Sequence, residues 1–194
     1  MKKLRKYWEE ISVHLNNIMG QNLINFQAKG ANQKEIKKLA AQVGNELPED
    51  FKDYLAMFNE YQSVVFFEYK ALSISEIYDN WRLLTSLKSQ GEFEYLTPWY
   101  VKEKAPIKYT WWDEGWIPFA EDDNGNLICL DLAPNKKGER GQVFYWETVG
   151  GPGLPQAKSF LDFVKGYRKA LEKGKFNFDK DLGNFVTSSN LVEA

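Results

Sequence analysis

The segment from Trp116 to Trp146, WIPFAEDDNGNLICLDLAPNKKGERGQVFYW, constrains the fold of this chain more than any other. The Asn124-Gly125 pair within it predicts a two-residue type I′ hairpin, because both central residues of that turn need positive φ. A second turn follows Pro134, so the segment predicts three short strands over 116–120, 127–132 and 143–146. The middle run is apolar at successive positions instead of alternating. A strand of that kind lies inside a sheet that is covered on both faces.

Helical periodicity flanks this segment, with apolar residues recurring every three or four positions. The pattern predicts an N-terminal helix over 3–19, two short helices that open at Asn32 and Pro48, a fourth after Ser73, and a closing helix over 160–171. Asn32 and Ser73 are each followed three residues later by glutamate, the arrangement of a capping box. Proline is favoured at the first helical position, where we place Pro48. With a short hairpin over 64–72, these elements predict an α+β fold.

Composition excludes several classes of protein. The 25 basic and 27 acidic residues are spread along the 194-residue chain. The sequence has no basic block of the kind that would predict direct contact with nucleic acid. A single cysteine, Cys129, permits no intramolecular disulfide and is typical of a reducing compartment. The N-terminus lacks the apolar core of a signal peptide, and no apolar run approaches the ~18 residues of a membrane span. We therefore expect a soluble, cytoplasmic protein that does not contact a membrane.

The sequence marks out no catalytic, metal or cofactor site. His14 is the only histidine, which excludes a histidine-based triad or a multi-histidine metal site. Cys129 lies in an apolar strand and is interpreted as a small buried hydrophobe. The acidic turn over 121–126 lacks the spacing of a calcium loop, and two prolines and Ala157 break a phosphate-loop pattern over 150–159. Acid–base catalysis by a carboxylate pair stays open, because 27 acidic residues offer many pairs and spacing selects none.

The segment over 91–115 has no clear periodicity and is rich in aromatic residues. A loop of this length is usually functional or contains structure of its own. Its rings either cover the sheet or bind sugar rings or a protein. The run over 111–114, placed beside the acidic turn over 121–123, would form an aromatic and acidic rim suited to a basic protein partner. The residues that we expect to contact this partner are Trp112, Asp113, Glu114, Asp122 and Asp123.

The order of the elements resembles the SUKH superfamily, whose name comes in part from the fungal Smi/Knr cell-wall regulators. The Leu47-Pro48 helix entry, the Trp-x-Pro…Gly-Asn-x-x-Cys-Leu-Asp-Leu hairpin and the strand opened by Gly141-Gln142-Val143 carry this resemblance. It implies one α+β domain over 1–194, with a core of about 33–171 and a central mixed, mainly antiparallel sheet surrounded by helices. The N-terminal helix, the aromatic insertion and a polar tail over 174–194 depart from the compact family pattern.

The resemblance also implies a function without catalysis or cofactors. Bacterial members resemble immunity proteins that neutralise polymorphic toxins, often nucleases, and fungal members are signalling scaffolds for cell-wall synthesis. Our leading hypothesis is an immunity protein that occludes the active site of a cognate, basic toxin. The alternatives are a signalling scaffold of the cell-wall regulator type and a carboxylate-dependent glycan hydrolase. The sequence leaves the partner and the oligomeric state open.

Overall fold

A computed structural model of the protein describes residues 2–19, 30–58, 65–179 and 184–187. Residues 20–29, which follow the first helix, and the last residues of the tail lie outside these ranges. The helices are α1 (Lys2–Met19), α2 (Gln33–Gln42), α3 (Glu49–Met57), α4 (Ile74–Ser89) and α5 (Phe160–Glu172). The strands are β1 (Val65–Phe66), β2 (Tyr69–Ala71), β3 (Trp116–Glu121), β4 (Leu127–Asp131), β5 (Gln142–Glu147), β6 (Gly151–Pro152), β7 (Phe176–Asp179) and β8 (Asn184–Thr187).

Strands β1 to β6 form one sheet in sequence order, and β7 pairs with β8 separately. Every pairing in the described chain is antiparallel. The α+β class with a mainly antiparallel sheet is confirmed, but the expected parallel component of a mixed sheet is absent from the described ranges. Strand β4 lies in the middle of the sheet with all five residues buried. Ile128 and Leu130 join one apolar cluster while Leu127 and Cys129 join another. Since alternate side chains point to opposite faces, the prediction of a strand covered on both sides is confirmed.

Helices α1, α2, α3 and α5, together with Ile77 of α4, pack on one face of the sheet and form the first apolar cluster with it. Aromatic rings dominate it. The ring centroids of Trp8 and Phe66 lie 5.5 Å apart, and those of Phe119 and Phe160 lie 5.3 Å apart. Both predicted capping boxes are present, at the starts of α2 and α4. The helical faces inferred from periodicity are therefore the faces that build this core.

The aromatic segment over 91–115 covers the opposite face without forming a helix or strand of its own. It and α4 supply half of the second apolar cluster: Leu84, Val101, Ile107, Trp111 and Trp112. The sheet supplies the other half: Trp116, Leu127, Cys129, Phe144 and Trp146. Part of the segment is thus a cover for the sheet. Four of the other aromatic residues of the segment are exposed: Tyr95, Trp99, Tyr100 and Tyr109.

The turn between β3 and β4 is not the predicted type I′ turn. Gly125 has a φ of 78°, but Phe67 is the only non-glycine residue of positive φ in the described ranges, so Asn124 does not share this conformation. The N–H of Gly125 donates to the carbonyl of Asp122 at 3.1 Å, which closes a three-residue loop ending in a left-handed glycine. The Asp122 carboxylate also accepts from the N–H of Asn124 and of Asn126, at 2.9 and 2.8 Å. These side-chain bonds stabilise the longer loop.

Two further predictions need small corrections. Pro48 is the N-cap of α3, with ψ of 146°, and the helix begins one residue later than predicted. Asp50, in the first turn of α3, accepts from the N–H of Leu161 at 2.8 Å and so links α3 to α5. The tail over 174–194 contains the β7–β8 pair, and Phe176 packs on Phe67 with ring centroids 4.2 Å apart. No helix in the described ranges is long and apolar enough to cross a membrane.

Candidate functional site

Trp112, one of the five predicted contact residues, is part of the interior. Its side chain is 0% exposed, and its indole N–H donates to Thr85 Oγ1 at 3.2 Å. The ring meets Trp116 and Trp146 edge-on, at centroid distances of 5.8 and 5.9 Å. Trp112 therefore anchors the aromatic segment to the sheet and presents no surface to a partner in this conformation.

Asp113 and Glu114 are engaged within the protein. Asp113 is buried, and its carboxylate accepts from Lys108 Nζ at 2.8 Å and from the N–H of Gly115 at 2.9 Å. Glu114 is exposed, but its carboxylate lies 3.0 Å from Lys88 Nζ, at the last turn of α4. Both acids are thus neutralised by lysines. Their contacts hold the end of the aromatic segment in place.

A buried polar network lies beneath Asp113. Asp131 is fully buried and accepts from Gln142 Nε2 at 2.8 Å and from the N–H of Ala133 at 3.0 Å. Burial raises the pKa of Asp131 to about 6; the negative charge of Asp113 adds to this, and the two hydrogen bonds oppose it. Two carboxylates that lie close together occur in many acid–base catalysts. This pair, however, is enclosed by protein, so it supports the fold and adds no weight to the glycan-hydrolase hypothesis.

Cys129 is fully buried, and burial raises the pKa of its thiol well above the ordinary value. A thiol of high pKa is a poor nucleophile. The interpretation of Cys129 as a small apolar residue is therefore confirmed. Within the described ranges, no three or more His, Cys, Asp or Glu side chains are grouped so that they could hold a metal ion.

The predicted rim is divided between the two ends of β3. Asp113 and Glu114 precede the strand, whereas Asp122 and Asp123 follow it. A strand of six residues spans roughly 17 Å. The prediction that these acids lie side by side is wrong, because β3 separates them along its whole length.

The acidic turn over 121–126 neighbours the turn over 147–150 instead. The side-chain carbonyl of Asn126 accepts from the backbone N–H of Thr148 at 3.0 Å. Asp123 is exposed at the tip of its turn and Asp122 is half-buried beside it. Glu147, the last residue of β5, and the turn that follows it therefore lie beside the acidic turn.

The aromatic segment reaches the 147–150 turn from the other side. The hydroxyl of Tyr100 donates to the Glu147 carboxylate at 2.9 Å, and the N–H of Trp99 donates to the carbonyl of Gly150 at 3.0 Å. Trp99 and Val149 are both 65% exposed. We name the resulting continuous surface the aromatic–acidic edge; it consists of Trp99, Tyr100, Asp122, Asp123, Glu147 and Val149.

The charge of this edge is not balanced within the protein. In the described part of the chain, Asp122, Asp123 and Glu147 form no ion pair with a lysine or arginine. Exposed aromatic rings beside uncompensated carboxylates are available to an external partner. The sequence predicted the acidic turn as part of the site but placed Trp112 beside it instead of Trp99. The residues that contact Trp99 are some fifty positions away in sequence, so no local pattern indicates them.

A cleft of about 410 Å³ opens between the end of α4 and the aromatic segment. We name it the aromatic cleft. Its lining includes three aromatic rings, one aliphatic side chain and two charged groups: Phe93, Tyr109, Trp111, Leu96, Lys88 and Glu94. Leu96 is three residues from Trp99, so the cleft lies within ~11 Å of the aromatic–acidic edge.

Residues 30–166 match the sequence model of the SMI1 / KNR4 family (SUKH-1). This range takes in the whole six-stranded sheet, the helices α2 to α4 and the aromatic segment. The chain belongs to the SMI1/KNR4 family. The resemblance drawn from the order of its elements is confirmed, and the aromatic segment lies inside the matched range.

Parts of the chain are similar to fungal proteins of the SMI1/KNR4 family. The cell wall biosynthesis/cell cycle regulator smi1 of Schizosaccharomyces pombe is 39% identical over 67 residues, 34% of this chain and 13% of that protein. KNR4/SMI1 homolog 2 of Debaryomyces hansenii is 37% identical over 77 residues, 39% of this chain and 13% of that protein. The glucan synthesis regulatory protein of Neurospora crassa is 30% identical over 77 residues, 40% of this chain and 14% of that protein. The similarity therefore spans only a small part of these relatives.

Proposed function

We propose that this SMI1/KNR4-family chain is a non-catalytic, regulatory protein-binding domain whose partner docks on the aromatic–acidic edge. The observation that carries the proposal is that Trp99 and Tyr100 are exposed and held in place beside Asp122, Asp123 and Glu147, which form no ion pairs in the described ranges. The names of the similar fungal proteins describe regulators, which favours this function over the immunity hypothesis.

The edge has the chemistry of a protein-binding hot spot. Tryptophan and tyrosine are enriched among the residues that contribute most to protein interfaces. The backbone of Trp99 and the hydroxyl of Tyr100 are already held by hydrogen bonds to the 147–150 turn. A partner would therefore lose little conformational entropy in ordering this surface. Asp122, Asp123 and Glu147 would steer a basic partner and select against acidic ones.

The immunity function is the second candidate, and the uncompensated acids of the edge favour it. An inhibitor of a nuclease must cover a basic surface, and Asp123 at the tip of its turn is placed to approach one. This function requires a stoichiometric complex, with a dissociation constant on the order of nanomolar or tighter. A regulatory partner would bind more weakly and transiently.

Affinity capture with surface variants tests the docking surface. The tagged chain is compared with Trp99→Ala and Asp123→Lys, and with Leu83→Ala as a control, since Leu83 is 56% exposed on α4. We expect either edge variant to weaken the captured complex by at least ~30-fold, the effect of losing about 2 kcal/mol at a hot spot. The control should retain it. Equal capture by all three variants would refute docking on this edge.

The capture also separates the two candidate functions. Any toxin domain that is found to be encoded beside this chain is co-expressed with it, and growth is measured. Rescue of growth together with one tight complex establishes immunity. Several weak partners and no rescue establish a regulatory binding domain.

A further inference from the structure

We propose that the aromatic cleft binds the guanidinium group of an arginine side chain, which the partner inserts when it docks on the neighbouring edge. This inference rests on the proposed protein-binding function. It adds a specific chemical group and a second, separate site to it.

The shape of the cleft suits a single inserted side chain with its neighbours. Its volume of about 410 Å³ is at the lower end of the range for sites that enclose a small ligand. Tyr109 is exposed, Phe93 is half-buried, and Trp111 is buried at the rim of the second apolar cluster. All three aromatic residues line the cleft, and the exposed ring of Tyr109 is accessible to a flat group that enters it.

The cleft carries a net negative charge, because its one lysine is already paired with a carboxylate of the protein. Lys88 and Glu94 are its two charged lining residues. Lys88 is neutralised by Glu114, whose carboxylate lies 3.0 Å away. Glu94 is exposed and forms no ion pair with any lysine or arginine in the described ranges. One carboxylate is therefore left to pair with an incoming cation.

Three aromatic lining residues and one carboxylate without a cationic partner match guanidinium better than ammonium. A cation near the face of an aromatic ring is attracted by its quadrupole. Guanidinium is planar, stacks on rings, forms bidentate bonds with carboxylates and is more weakly hydrated than ammonium. Its transfer from water into a cleft lined in part by apolar side chains consequently costs less free energy than the transfer of an ammonium group. Leu96 and its neighbours would pack on the aliphatic part of the side chain.

An NMR titration of the intact chain tests this site without a partner. The probe is N-acetyl-arginine amide, and N-acetyl-citrulline amide is the matched neutral control of nearly the same shape. We expect the arginine probe to shift the indole signal of Trp111 saturably, with a dissociation constant on the order of 1–10 mM. The citrulline probe should not do so. Equal shifts from both probes, or no saturable shift from arginine, would overturn the inference, and equal binding of N-acetyl-lysine amide would overturn the preference for guanidinium.

Charge variants locate the binding. Glu94→Gln should weaken arginine binding at least fivefold, while Glu92→Gln, an exposed acid two residues away and outside the lining, should leave it unchanged. Glu114→Gln should also weaken it, because Lys88 then repels the probe, and adding Lys88→Met should reverse that loss. Equal weakening by Glu92→Gln and Glu94→Gln would show only general electrostatic attraction. Unchanged dispersion of the amide spectrum confirms that each variant is folded.

The titration and the capture experiment fail independently. A chain that loses its partner through Trp99→Ala but never binds arginine retains the proposed function and refutes the cleft. A chain that binds arginine through Glu94 but captures its partner equally well with Trp99→Ala or Asp123→Lys retains the cleft and refutes docking on the aromatic–acidic edge.

Discussion

Replacing Asp131 with asparagine should remove a pH-dependent part of the free energy of unfolding. Burial raises the pKa of this carboxyl from 3.8 to about 6 in the folded chain. The folded state therefore binds the proton more tightly than the unfolded state. The stabilising contribution of this proton is complete below about pH 4 and is lost as the pH rises to about 6.

The size of the effect follows from the difference in pKa. A difference of about two units corresponds to on the order of 3 kcal/mol between the two ends of this range. The Asp131→Asn variant carries no titrating group at this position. Its free energy of unfolding, relative to that of the unmodified chain, should therefore rise by that amount between pH 4 and pH 7.5. A constant offset is expected as well, because an asparagine amide in place of one carboxylate oxygen would face the Gln142 amide.

Urea unfolding followed by tryptophan fluorescence at several pH values measures this difference. Asn135→Ala is the control: the Asn135 side chain donates to the carbonyls of Ala105 and Ile107, at 3.1 and 2.9 Å, and carries no ionisable group. Its offset from the unmodified chain should be the same at every pH. If the offset of Asp131→Asn is equally constant, the buried carboxyl does not titrate in this range and the argument is refuted.

Two further predictions concern residues that hold the fold. Trp112→Ala should lower the free energy of unfolding by about 3–5 kcal/mol, because it leaves a large cavity in the second apolar cluster. Trp112→Phe should keep full affinity for the partner. A loss of affinity in that variant, if it is folded, would show that Trp112 is a contact residue after all. Phe67 has a φ of 61° at the first position of a two-residue hairpin, where glycine is favoured, and its ring packs on Tyr167 and Phe176. Both Phe67→Gly and Phe67→Ala lose that packing, but urea unfolding should show the alanine variant to be about 1 kcal/mol less stable; equal stability would exclude backbone strain at this position.

Short-range patterns determined much of the secondary structure correctly. The capping boxes at Asn32 and Ser73 depend on residues three positions apart, so every group that forms them lies within one short segment of sequence. The continuous apolar run of β4 predicted a strand covered on both faces because each side chain of a strand points to one face or the other. The predicted turn type at Asn124 was wrong for a local reason, since hydrogen bonds to the Asp122 carboxylate stabilise a three-residue loop instead of the two-residue turn.

The sequence alone determined the α+β class, the order of the elements and the family of this chain. Only the tertiary structure decided which aromatic residues form a surface. Trp99 and Trp112 lie in the same aperiodic segment, yet one is exposed and the other is buried. The difference comes from distant neighbours: Thr85 and Trp146 enclose Trp112, while Gly150 holds the backbone of Trp99 at the protein surface. Burial depends on packing between residues far apart in sequence, and a local pattern carries no information about such contacts.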